Sequence, residues 1–236
     1  MAVKYLKLSA LLVGTLVFTA ACGNGSDEPA KASSVEQQVA KQVEAATGMK
    51  ASKDDTPCKI LDDELIHAHF TVPEGAEIKR HPSQYSPYPL CIVSWEKANA
   101  EEVKAQMAQA MQDYVKKQMA GEDVKMPVMR TTDEVSLTLY EPPFDSPEAA
   151  KRGLESAMQM LSKGITASHK DTTVTIQADM SPVDGVGTEA MWIPRMHQLS
   201  LAAGNRVLHI TVRTGDDPEA DKPIAVAVAK DVIERL

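Results

Sequence analysis

Gln198-Leu199-Ser200-Leu201-Ala202-Ala203-Gly204-Asn205-Arg206-Val207-Leu208-His209-Ile210-Thr211-Val212-Arg213 is the stretch that decides the fold class. Two apolar-rich strands, Gln198–Ala203 and Val207–Arg213, flank Gly204-Asn205, a strong hairpin signal. A turn this tight permits only antiparallel pairing. Two more strands precede it, at Thr172–Ala178 and Ala190–Ile193. The expectation is an α+β fold, an antiparallel sheet with helices packed on one face. Such a sheet can leave its other face to water or to a partner.

Outward from the hairpin, the chain alternates between the two periods. A closing helix is expected from about Asp221 to Leu236, with Ile224, Val228 and Val232 at helical spacing. Upstream, Ser146-Pro147 combines a capping hydroxyl with a first-turn proline and opens a helix expected to run to Gly164. Glu134–Tyr140 alternates Val135, Leu137 and Leu139 with polar residues, the pattern of a half-buried strand. The longest periodic segment starts at Asn99, with Glu102 at capping-box spacing, and ends at Gly121. Its Val103, Met107, Met111, Val115 and Met119 share one face, which reads as core. Earlier still, a short helix from Asp62 to about His69 turns Leu65 and Ile66 inward. An irregular stretch follows it, His81–Pro89 is a proline-rich loop, and Cys91–Trp95 is a strand.

The N-terminus has a different character. Lys4 and Lys7 precede a short apolar segment, Leu8 to Ala21, and Cys22 follows directly. That is the layout of a secretory signal. As a helix the segment would span roughly 21 Å at 1.5 Å per residue, too short for a hydrocarbon core of about 30 Å. A plain signal peptide cleaved after Ala21 is the other reading. The run Leu16-Val17-Phe18-Thr19-Ala20-Ala21-Cys22-Gly23 resembles a bacterial lipoprotein signal, whose lipobox ends in small residues and then Cys. The resemblance implies that Cys22 becomes the acylated first residue. Each buried methylene of an acyl chain contributes about 0.8 kcal/mol to anchoring. Gly23 stands where Asp would signal inner-membrane retention, so by that analogy the outer membrane, facing the periplasm, is favoured.

Three regions are thus expected: a signal peptide over 1–21, a lipidated flexible tether over 22–57 and a globular domain over 58–236. The tether is polar and small, with one short candidate helix carrying Val35, Val39 and Val43. Fraying is its default, because isolated helices of that length are marginal in water.

Composition sets the function classes aside. Loss of residues 1–21 removes two lysines and no acid, moving the net charge from −8 to −10. An acidic chain with no basic patch interleaved with aromatics excludes nucleic acid as a partner. Cys58 and Cys91 remain as an even pair, expected to form a disulfide in an exported protein. A redox-active role would want Cys-x-x-Cys, which is absent.

No catalytic constellation stands out. His67 and His69 lie beside Asp62, Asp63 and Glu64, but positions two apart on a helix do not converge on a metal. The methionines are soft ligands in principle, yet their spacing is that of core filler. Val183-Asp184-Gly185-Val186-Gly187-Thr188-Glu189-Ala190-Met191-Trp192 is glycine-rich but leads into a strand, unlike a phosphate-binding loop. His197 and His209 fall near the hairpin and read as a polar surface pair. No cofactor and no metal are expected, and the chain reads as non-enzymatic.

Cys22, the Pro57-Cys58-Lys59-Ile60-Leu61 opening with Cys91-Ile92-Val93-Ser94-Trp95, and the glycine-rich Val183–Trp192 stretch together resemble a broad group of bacterial lipoproteins of uncharacterised function. The resemblance implies a disulfide between Cys58 and Cys91 and a glycine turn feeding an antiparallel hairpin. The expected function is a membrane-anchored module for an envelope protein or component. Tyr85 and Tyr88 in the proline-rich loop are its candidate partner-binding residues, because tyrosine is favoured at interface anchors. The alternative is a periplasmic carrier of a small ligand or metal.

Overall fold

The computed structural model describes residues 52–82, 86–169 and 172–236. Its centre is a fully antiparallel seven-stranded sheet. In chain order the strands are β1 (Lys79–Pro82), β2 (Leu90–Glu96), β3 (Thr132–Leu139), β6 (Ser181–Pro182), β7 (Glu189–Ile193), β8 (Gln198–Ala203) and β9 (Arg206–Arg213). The spatial order is β1-β2-β3-β9-β8-β7-β6, two meanders joined where β3 meets β9. Two further strands, β4 (Ile165–His169) and β5 (Thr172–Ile176), pair only with each other.

The deciding hairpin has the expected register. Ala203 pairs with Arg206 across Gly204-Asn205, and Gly204 has φ 54°, the left-handed conformation that glycine tolerates. The α+β class is therefore realised. The helices are α1 (Thr56–Ile60), α2 (Asp63–His69), α3 (Ala100–Met119), α4 (Pro147–Lys163) and α5 (Pro218–Glu234). Local chemistry starts them where it should. The Asp62 carboxylate accepts from Leu65 N at 2.8 Å, and Ser146 Oγ accepts from Ala149 N at 3.2 Å. That bond from Leu65, with Arg235 beside it, holds the Asp62 carboxyl below its usual range.

The sheet has a core on each face. Leu199, Leu201, Leu208, Ile210 and Val212 join Trp95 and Trp192 on one face, under Ile60, Leu65 and Ile66 from α1 and α2 and Ala225, Val228 and Val232 from α5. The alternate residues Ile193, Ala202 and Val207 lie on the other face, under Ala150, Leu154, Ala157 and Leu161 of α4. So α2 and α5 share a face as expected, with the unforeseen α1 beside them. Helix α4 packs on the opposite face and corrects the expectation that all the helices lie on one face. Cys58 and Cys91 are bonded, with Cα atoms 5.0 Å apart, tying α1 to β2. No helix among the described residues is long and apolar enough to cross a membrane.

Several assignments differ from the sequence reading. His81 and Pro82 belong to edge strand β1 rather than to a loop; an edge tolerates proline because one side needs no ladder donor. Helix α5 begins at Pro218, capped by Asp217, three residues before the expected start. Strand β4, unforeseen in the sequence, gives β5 a partner outside the main sheet.

Candidate functional site

Between β2 and β3 the ladder closes twice over, at the Glu96–Thr132 pair and at Lys97 N to Thr131 O, 2.9 Å. A short turn would suffice there. Instead the chain makes an excursion that contains α3. The helix has 20 residues and is about 30 Å long at 1.5 Å per residue. Residues 121–130 must recover that distance, and an extended residue spans at most about 3.3–3.6 Å. The return is therefore largely extended and runs beside the helix. Helix and return together form an arm.

Burial shows how little the arm owes to the rest of the fold. Within α3 only Ala100 is buried. Val103, Met107, Ala110, Met111 and Tyr114 form a half-buried stripe, and Val124, Pro127 and Arg130, three apart on the return, are half-buried as well. Val115 is 47% exposed, Met119 84%, Met126 50%, Val128 69% and Met129 39%. The expectation that the apolar face from Val103 to Met119 is core is corrected here. Periodicity reports that a helix has an apolar face; it does not report what covers that face. Among the described residues, Leu236 is the only exposed large apolar side chain outside the arm.

The arm's root is held by charge. Lys97 Nζ lies 3.5 Å from Asp133 Oδ1, and both side chains are mostly buried. Burial pushes the Asp133 carboxyl above its usual range, with Lys97 pulling the other way. Lys104 reaches both Glu101 at 2.7 Å and Glu96 at 3.3 Å, joining the first turn of α3 to the end of β2. At the β3–β9 seam Arg213 faces Glu134 at 3.5 Å.

The tyrosine loop is not the presented surface that the sequence promised. Tyr88 is 5% exposed, its ring centroid 4.3 Å from that of Tyr140. It belongs to the core under α4 and is withdrawn as an exposed anchor. Burial also pushes its phenol above the usual range. Tyr85 lies outside the described residues, as does Cys22. The Tyr140 hydroxyl is 2.6 Å from His209 Nε2. His209 is 4% exposed, and burial pushes its pKa down to about 3. Its reading as a surface residue is corrected too: α4 covers the sheet face that was expected to be open.

The remaining sequence candidates separate. His197 Nδ1 sits 2.6 Å from Asp221 Oδ2, and Asp221 Oδ1 also accepts from Thr214 Oγ1 at 2.6 Å. This network staples the β9–α5 connection to the turn before β8, where His197 adopts φ 52°. His197 and His209 are thus engaged with different elements and do not form a pair. His69 contacts Asp231 of α5 at 2.7 Å, while His67 is exposed. Among the described residues no group of three or more His, Cys, Asp or Glu side chains is placed to hold a metal ion.

The glycine-rich stretch is a packing device. Gly185 and Gly187 have φ 77° and 63°. A Cβ on Gly187 would stand 2.3 Å from Ala202 O, the same oxygen that accepts from Thr188 N at 2.8 Å. Only glycine permits that close approach. One further concavity, of about 290 Å³, lies between α4 and the β6–β7 edge, lined by Leu154, Met158, Met180 and Met191 and rimmed by Glu155 and Glu189. Lys151 faces both acids, at 3.8 and 3.2 Å.

Compared with known protein families, curated proteins and solved structures, the chain finds no match.

Proposed function

We propose that this chain is a non-enzymatic lipoprotein of the bacterial envelope, anchored through acylated Cys22 and facing the periplasm, that binds a protein partner through its arm. The sheet and its flanking helices are the scaffold, and the arm is the docking element. The observation that carries this reading is the concentration of Val115, Met119, Met126, Val128 and Met129, all exposed, on a segment that contributes almost nothing to the core. Scattered exposed apolar residues are ordinary; their gathering on one projection marks an interaction site. Covering a single such side chain is worth about 1.5–3 kcal/mol. An acidic chain with its apolar surface on an arm suits a protein partner better than a polyanion or an anionic bilayer.

A photo-crosslinking residue at Val128 in the full chain, produced in a bacterial envelope, tests this. The reading expects a discrete protein adduct from Val128 and none from the same probe at Lys230, an exposed position on α5. No adduct at Val128, or the same adducts at both positions, contradicts it.

The groove beneath α4 favours a second reading, a carrier of a small apolar ligand. Its volume and methionine lining suit one. Native mass spectrometry of protein taken from its own envelope separates the two, since a carrier retains a stoichiometric non-peptide mass.

A further inference from the structure

A 20-residue helix that buries only its first residue is short of support. Isolated helices of this size are marginal in water, and packing supplies most helical stability in proteins. The stripe formed by Val103, Met107, Ala110, Met111 and Tyr114 is already half-covered. A second stripe lies well around the helix from it. Ala105, Ala108, Gln112, Val115 and Met119 are all exposed, at intervals of three, four, three and four residues. That is the alternation of a helix–helix seam, with small residues in its first half and large ones in its second.

The seam distinguishes its partner by charge and by size. The first turn of α3 carries Glu101 and Glu102, and its last turn carries Lys116 and Lys117. When the same helix is laid against itself in reverse, Ala105 meets Val115 and Ala108 meets Gln112, small against large. Glu102 then faces Lys116 from the flanking position, twice over by symmetry. Neither charge is committed to a strong partner within its own chain: Glu102 accepts from the neutral Gln106 amide at 3.0 Å, and Lys116 stands 3.7 Å from Asp113. Parallel pairing offers no such match.

We propose that the partner of this arm is a second copy of this chain, joined by antiparallel packing of α3 on α3 about a two-fold axis near Gln109. The inference rests on the arm being a docking element. The contact is self-complementary and closes at two copies. The seam is short and its affinity in solution is modest; confinement of both copies to one membrane surface raises their effective concentration.

Förster transfer between donor- and acceptor-labelled copies of the full lipidated chain on phospholipid vesicles tests the pairing, using Glu102→Lys, Lys116→Glu and the double exchange. Both positions are exposed and lie away from the sheet. Circular dichroism of each variant checks that α3 stays helical, since lysine in the first turn and glutamate in the last oppose the helix dipole. Each single change sets like charges opposite each other at both symmetric positions and weakens the dimer about tenfold or more. The double exchange restores it. A wild-type chain that stays monomeric, or a dimer indifferent to the single changes, overturns the pairing. A monomer whose Val128 probe still captures a different envelope protein overturns the pairing alone and leaves the arm as a docking element. A monomer with no adduct overturns both.

Discussion

The amide of Lys97 donates to the carbonyl of Thr131 at 2.9 Å, so the two ends of a long excursion meet as if the residues between them were a tight turn. The β2–β3 ladder is complete without the arm, down to its Glu96–Thr132 pair. What lies beyond that bond is therefore available for a purpose other than stability. The functional reading follows from this separation of scaffold and projection.

Acid tests the buried histidine. His209 titrates near 6.5 in the unfolded chain and at about 3 in the fold, because burial penalises its charged form. Below pH 6.5 the unfolded chain takes up a proton that the folded one refuses, so stability falls with pH down to about 3. At pH 5 the loss is about 2 kcal/mol, at 1.36 kcal/mol per pKa unit. Denaturant titrations of wild type and His209→Gln at pH 5 and pH 7 check it. The variant is expected to show a difference between the two pH values smaller by about that amount.

Two glycines separate conformation from contact. Gly185→Ala meets open space and costs only the strain of a positive φ, about 1–2 kcal/mol. Gly187→Ala carries the same strain and also drives a methyl group against Ala202 O. It is expected to be the more damaging by at least about 1 kcal/mol, and to disturb the β7–β8 pairing. Urea midpoints of the two variants, measured side by side, decide this.

Removing the disulfide by Cys58→Ser with Cys91→Ser frees the chain over a sequence separation of 33. The expected loss is about 3–4 kcal/mol on the chain-entropy account. Differential scanning calorimetry of the double variant against the oxidised wild type measures it.

The sheet was legible in the sequence because its signals are local. Gly204-Asn205 set a hairpin, and Val135, Leu137 and Leu139 alternate cleanly with polar neighbours. The caps at Asp62 and Ser146 named their helices for the same reason. Coverage was not legible. His209 looks like a surface residue until α4 is placed over its side of the sheet, and no local pattern places it. Tyr88 was misjudged for the same cause: prolines mark a loop, but Tyr140 and α4 decide that its ring is interior. The methionines of α3 mislead in the opposite sense. Their spacing is that of a core helix, and only the closed ladder at Glu96–Thr132 shows that the helix stands outside. The arm had a signal all the same, in a long helix inserted between two strands that pair directly.

Stability should ignore the arm's exposed residues and depend on the sheet. Met119→Ala is expected to change the unfolding free energy by less than about 0.5 kcal/mol. Leu208→Ala, fully buried between β3 and β8, is expected to cost about 2–5 kcal/mol. Equilibrium denaturation of both variants makes the comparison.

The most direct measurement is excision of the arm: residues 98–130 are replaced by Asn-Gly, so that the β2–β3 ladder closes in a short hairpin. Thermal unfolding and envelope crosslinking with a bifunctional lysine-reactive reagent, which needs no probe inside the arm, are then read on the excised and wild-type chains. A melting temperature within a few degrees of wild type, with the protein adducts of the wild-type chain gone, is the predicted result. A chain that no longer folds, or one that keeps its full set of adducts, would contradict the account.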